Sequence, residues 1–141
     1  MKKNVILTIQ GKQYYHDLDP EVIELVTEGT LEKTEAGWTI SYEESALTGL
    51  EGVTTTFQVE PDKLTLERKG ALQSRMVFQL GVLHESLYQM EAGALMIGVC
   101  ATKIAYKIDG DGGTLDLTYG IDIEQSVGGV VEYHLDIRPN P

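Results

Sequence analysis

The chain has 141 residues, which fits one domain and is long enough to bury about two-thirds of its unfolded surface without a disulfide staple. Its 22 acids outnumber 11 bases, and the net charge of −11 disfavours nucleic acid and anionic lipid, because no basic stripe is present to displace their counterions. The imbalance is local: thirteen acids and two bases lie between Asp17 and Glu67, and nine of each lie elsewhere.

In chain order the first extended segment runs from about Asn4 to Tyr15, and His16-Asp17-Leu18-Asp19-Pro20 forms a turn. Val22 to Glu35 is the next strand, ended by Ala36-Gly37. Trp38 to Leu47 carries Trp38, Ile40, Tyr42 and Glu44 on one face, and Gly49 to Gly52 turns the chain. Thr54 to Val59 is a β-branched run closed by Glu60-Pro61-Asp62, where proline presets the turn. Leu64, Leu66 and Arg68 share the next face, and Lys69-Gly70 bends away from it. Arg75 to Val82 groups Met76, Phe78, Leu80 and Val82.

The following segment, 83–92, is ambiguous. Leu80, Leu83, Leu87 and Met90 fall at helical spacing, yet the bracketing Gly81 and Gly93 and the short connections favour a strand. From Leu95 to Val99 the chain is nearly all apolar. The apolar parity then switches to Ile104, Tyr106 and Ile108, as a bulge near Thr102 or Lys103 would cause. Asp109 to Gly113 is a hairpin turn. From Thr114 to Glu124 the alternation is unbroken, with Leu115, Leu117, Tyr119, Ile121 and Ile123 on one side. Ser126 to Gly129 is expected to turn the chain into a last strand, Val130 to Ile137. The sum is an all-β protein, a single up-and-down antiparallel barrel of about eight to ten strands over residues 1–141.

No catalytic or metal signature stands out. Asp109 and Asp111 suggest a calcium loop, but Gly113 and Gly120 occupy the positions where an EF-hand needs ligands. His16, His84 and His134 form no short ligand pair. There is no G-x-S-x-G, and the adjacent acids Glu43 and Glu44 point to opposite faces of a strand, so they cannot jointly flank one bond. Cys100 sits among Ile97, Gly98, Val99 and Ala101 and is expected to be a small buried residue, with no base nearby to hold a thiolate. The apolar stretch after Met1-Lys2-Lys3 is too short for a secretory signal, and no segment approaches a membrane span, so the cytoplasm is the expected compartment. What does stand out is one acid and one base on inward faces. Glu44 and Arg68 must each meet a counter-charge, water or ligand inside the barrel, and they are each other's obvious partners.

Several of these residues also carry a family resemblance. Tyr42-Glu43-Glu44, Leu50 and Gly52 before Thr54-Thr55-Thr56, Arg68-Lys69-Gly70, Met76 with Phe78, Tyr88 with Gly93, and Gly113-Leu115-Tyr119 resemble the bacterial YwiB-like family, a domain of unknown function. The resemblance spans about Val5 to Ile137 and departs from the family pattern at Gln89-Met90-Glu91-Ala92. It implies a calycin-like barrel related in shape to lipocalins, a cytoplasmic bacterial protein, and a strand at 83–90; it supplies no catalytic residues. The expected function is a non-catalytic binding module for a small, largely apolar ligand, needing no cofactor. Trp38, Tyr42, Met76, Phe78 and Tyr119 would line the interior, with Glu44 and Arg68 as polar contacts. The alternatives are an assembly protein, most simply a homodimer, and an enzyme, which would need polar groups clustered beside Arg68.

Overall fold

The structure is a computed structural model that describes residues 2–14, 19–45, 51–90, 93–123 and 126–140. Alternation along the chain produces ten strands: β1 (Lys2–Tyr14), β2 (Glu21–Lys33), β3 (Trp38–Glu43), β4 (Val53–Val59), β5 (Leu64–Gly70), β6 (Ser74–Phe78), β7 (Leu83–Met90), β8 (Gly93–Asp109), β9 (Gly112–Ile123) and β10 (Ser126–Pro139). They form one sheet in the order β6-β5-β4-β3-β2-β1-β10-β9-β8-β7, so each strand lies beside its neighbours in sequence and β1 joins β10. All of these pairings are antiparallel.

The sheet curls until its two ends meet. Gln73 and Gln89 exchange backbone hydrogen bonds of 3.0 and 2.9 Å across the seam, and Gly81 N donates to the Ala101 carbonyl at 3.0 Å. Closure therefore rests on a few bridges rather than on a full ladder, and the result is a nearly closed barrel.

The doubtful segment is a strand as far as it is described: residues 83–90 pair with β8 from Leu83 opposite Cys100 to Met90 opposite Gly93. Eight cross-strand partners outweigh a helical spacing of four apolar residues. The parity switch in β8 is a bulge, since the register against β9 shifts between Ala101 and Lys103. The turn expected at Ser126 to Gly129 is corrected. Ser126 and Val127 already pair with Ile123 and Asp122, and the register shifts between Val127 and Gly129, so the glycine pair makes a bulge inside β10. Strand β3 ends at Glu43, earlier than expected. Residues 16–18 of the turn read at His16 to Pro20, residues 49 and 50 of the turn read at Gly49 to Gly52, and residues 91–92 of the departure at Gln89 to Ala92 lie outside the described residues.

Inward residues fill the barrel unevenly. Leu7, Leu31, Ile40, Phe57, Leu64 and Leu135 are fully buried at the end where the β2–β3, β4–β5 and β8–β9 hairpins turn. Toward the opposite end the interior opens. Cys100, between inward Val99 and Ala101, is half-buried on the outer face opposite Leu83, a correction to the buried position read from its neighbours.

Candidate functional site

A cavity of about 370 Å³ occupies the open end, and its walls come from the ends of eight strands. The floor is aromatic. The Tyr119 ring lies 4.5 Å from Phe78 between centroids and 6.5 Å from the nearly parallel Tyr133 ring, and Tyr133 meets Phe57 edge-on at 6.3 Å. Above it, Ile9, Leu25, Leu95, Ile97, Ile121 and Val131 form an aliphatic wall.

The facing wall is polar, and strand register builds it. Tyr42 on β3 lies opposite Thr55 on β4, Thr55 opposite Arg68 on β5, and Arg68 opposite Ser74 on β6, so four inward residues form one row across the sheet. Glu44 follows two residues beyond Tyr42 on the same face, held there by its backbone N–H, which donates to the Val53 carbonyl at 2.8 Å. Glu44 is only 7 % exposed, and its carboxylate accepts a 2.6 Å hydrogen bond from Thr55 Oγ1. Arg68 Nη2 donates to the Tyr133 hydroxyl at 3.4 Å, which ties the polar wall to the floor. Burial raises the Tyr42 pKa above its ordinary value; the charge of Glu44 and the Tyr133 hydroxyl raise it further, Arg68 opposes them, and a hydrogen bond to Glu44 also holds the proton on.

Of the residues expected inside the barrel, Tyr42, Glu44, Arg68, Met76 and Tyr119 line this cavity. Phe78 faces inward but lies beneath Tyr119, fully buried in the core. Trp38 shares the inward face with Ile40 and Tyr42, yet it stands at the far end of β3, half-buried against the core, with Lys33 Nζ 5.0 Å from its ring. The sequence reading missed Tyr133 and Gln13, which line the cavity, and Thr55 and Ser74, which flank Arg68 in register outside the lining. Each continues an alternation already visible, Tyr133 with Val131 and Leu135, and Ser74 with Met76 and Phe78. What alternation does not reveal is which end of the barrel stays open.

Elsewhere the polar groups serve the fold. Asp111 N donates to Asp109 Oδ1 at 2.8 Å, an Asx turn that shapes the β8–β9 hairpin. On the outer face His134 Nδ1 meets Asp116 Oδ1 at 2.6 Å, His84 pairs with Gln79, and His16 lies outside the described residues. Among the described residues no three His, Cys, Asp or Glu side chains gather as a metal set, and no helix is long and apolar enough to cross a membrane.

Comparison with known proteins bears on the same residues. The family described as "Domain of unknown function (DUF1934)" matches residues 7–137, which takes in nearly every strand and the whole cavity wall. The chain belongs to that family. It is similar to the crystal structure of the YwiB protein from Bacillus subtilis, with a TM-score of 0.88, 21 % sequence identity, and coverage of 99 % of this chain and 94 % of that one. The TM-score establishes a shared fold, and at that identity the likeness shows the fold alone. No curated protein matches the chain.

Proposed function

We propose that this DUF1934 barrel is a single calycin-like domain that binds one small, largely apolar molecule in its open end, without catalysis. The observation that carries the reading is the 370 Å³ cavity, within the range of about 300–1,000 Å³ typical of ligand pockets, with a largely apolar, aliphatic and aromatic lining and a few convergent polar groups. Glu44, Tyr42 and Tyr133 do gather about Arg68, as an enzyme would require. Their arrangement favours holding over chemistry. Glu44 is engaged by the hydroxyls of Thr55 and Tyr42, and a tyrosine whose proton is held more tightly than usual is a hydrogen-bond donor at neutral pH rather than an acid or base. A lone half-buried cysteine suits a reducing compartment, the cytoplasm.

The test uses N-phenylnaphthylamine, an uncharged apolar dye that brightens on leaving water. Its emission should rise saturably with one site per chain, and Ile123→Trp, which places bulk at a partly exposed position of the cavity wall, should abolish the rise while leaving the fold intact by circular dichroism. An unsaturable rise, or one indifferent to Ile123→Trp, would refute the reading.

A second reading, association of two copies, is favoured by one observation. Leu80, Val82, Leu83 and Leu87 are 43–59 % exposed on and beside β7, and residues 68–107 around them carry five bases against two acids, so a second copy would meet less repulsion there than elsewhere on this acidic surface.

A further inference from the structure

The two walls of the cavity differ in kind, and the difference restricts what its occupant can be. On one side Tyr42, Glu44 and Arg68 reach the cavity, Tyr42 and Arg68 from a row that register continues through Thr55 and Ser74 outside the lining. The aliphatic residues come from β1, β2, β8, β9 and β10. An occupant must therefore turn a polar edge to one side and an apolar body to the other. The polar wall carries one negative and one positive side chain, Glu44 and Arg68, both close enough to Tyr42 to act on its hydroxyl.

Consider what an ionic head would meet there. A carboxylate drawn to Arg68 also enters the field of Glu44, and an ammonium drawn to Glu44 enters that of Arg68. Each attraction is opposed by the other charge of the wall, and the cost of removing the ion from water remains. An uncharged head with an acceptor beside a donor meets no such opposition. Each half forms a charge-assisted hydrogen bond, and these are the stronger class. Ser74, opposite Arg68 in register, keeps a buried Oγ without a hydrogen-bond partner among the described residues, but it lies outside the cavity lining.

We infer that the ligand is an uncharged amphiphile whose polar end presents an amide-type edge, as in a carboxamide, lactam or imide, with its carbonyl toward Arg68, its N–H toward Glu44 and its apolar body against the aliphatic wall. This inference rests on the binding reading above and narrows it: fatty acids and alkylamines are disfavoured, although their apolar tails would fit.

Calorimetric titration with octanamide, octanoate and octylammonium tests it, because the three share a similar tail and differ in the head. The native protein should bind octanamide at least tenfold more tightly than either ion. Glu44→Gln, which keeps the shape and removes the negative charge, should move the preference to octanoate. Arg68→Met should move it to octylammonium, and if that variant does not fold, Glu44→Gln carries the test alone. Octanoate binding as tightly as octanamide to the native protein, or an order of preference unchanged by Glu44→Gln, would overturn the inference while leaving a positive dye titration, and hence the binding reading, in place. Silence of all three compounds together with the dye would overturn both.

Discussion

Tyr42 shows how a single side chain reports on this interior. Its ring is buried, its hydroxyl bonds to Glu44, and its pKa is raised chiefly by burial. An acid whose folded pKa exceeds its unfolded value adds stability that is complete below the unfolded pKa and lost as pH climbs from there toward the folded one. For tyrosine that loss begins near pH 10. Urea midpoints measured across that region should fall, and Tyr42→Phe should fall less steeply despite a lower starting stability, because it removes the group that ionises only on unfolding. An equal slope in both proteins would show that the Tyr42 proton is not held as described. The residues of the site were only partly legible in the sequence. Parity placed Tyr42, Glu44 and Arg68 inward, since a buried face and a two-residue period leave little freedom. The same rule placed Trp38 and Phe78 inward without showing their height in the barrel. Height is set by strand stagger, which emerges only when ten strands are paired. Trp38 is consequently a poor reporter of the cavity, and the tyrosines Tyr119 and Tyr133 are better placed.

Among the elements, the β8–β9 hairpin separates two roles of glycine that look alike in the run Asp109 to Gly113. Gly113 has φ of +144° and a side chain there would collide with the Lys107 carbonyl oxygen, whereas Gly110 has nothing within 4 Å of a would-be Cβ. Gly113→Ala should therefore cost about 3 kcal/mol, combining a disfavoured backbone with a steric clash. Gly110→Ala, at an open position, should change stability by less than about 0.5 kcal/mol. Urea denaturation of the pair decides the matter, and similar losses would mean that the hairpin tolerates neither or needs neither. The elements were the most readable part of the chain. The bulge in β8 was visible as a parity switch because an inserted residue must flip the faces beyond it. The bulge in β10 was not, because Gly128 and Gly129 carry no side chain to mark parity and turns are also built from glycine. Residues 83–90 were ambiguous for a physical reason as well: Leu83 and Leu87 point outward, opposite to what an alternating strand in a closed barrel leads one to expect. Leu83 pairs with Cys100, and its side chain leans toward Gly98 two residues away, where a Cβ would come within 3.3 Å of its Cδ1.

At the scale of the molecule, those outward leucines meet the uneven charge. Most acids belong to the stretch from Asp17 to Glu67, and on β2 the exposed Glu24 and Glu28 and the half-buried Glu32 alternate with the inward Leu25 and Leu31. Ion pairs such as Lys63 with Glu60 at 3.9 Å and Glu67 with Lys69, just beyond the stretch, at 3.3 Å leave most of the negative charge in place. Two copies each carrying −11 repel at long range, and salt weakens that repulsion over a Debye length of about 8 Å at physiological ionic strength. Apolar contact across β7 is far less sensitive to salt at this level. If a second copy docks there, sedimentation velocity should show monomer at low salt and a growing dimer fraction as ionic strength approaches physiological values, without a change in fold. Leu87→Lys, on the exposed face of β7, should keep the protein monomeric throughout, since it places a charge in the centre of the contact and leaves the barrel interior untouched. A dimer that strengthens as salt is lowered would place the contact on charged surfaces instead, and a monomer under all conditions would refute docking of a second copy on β7.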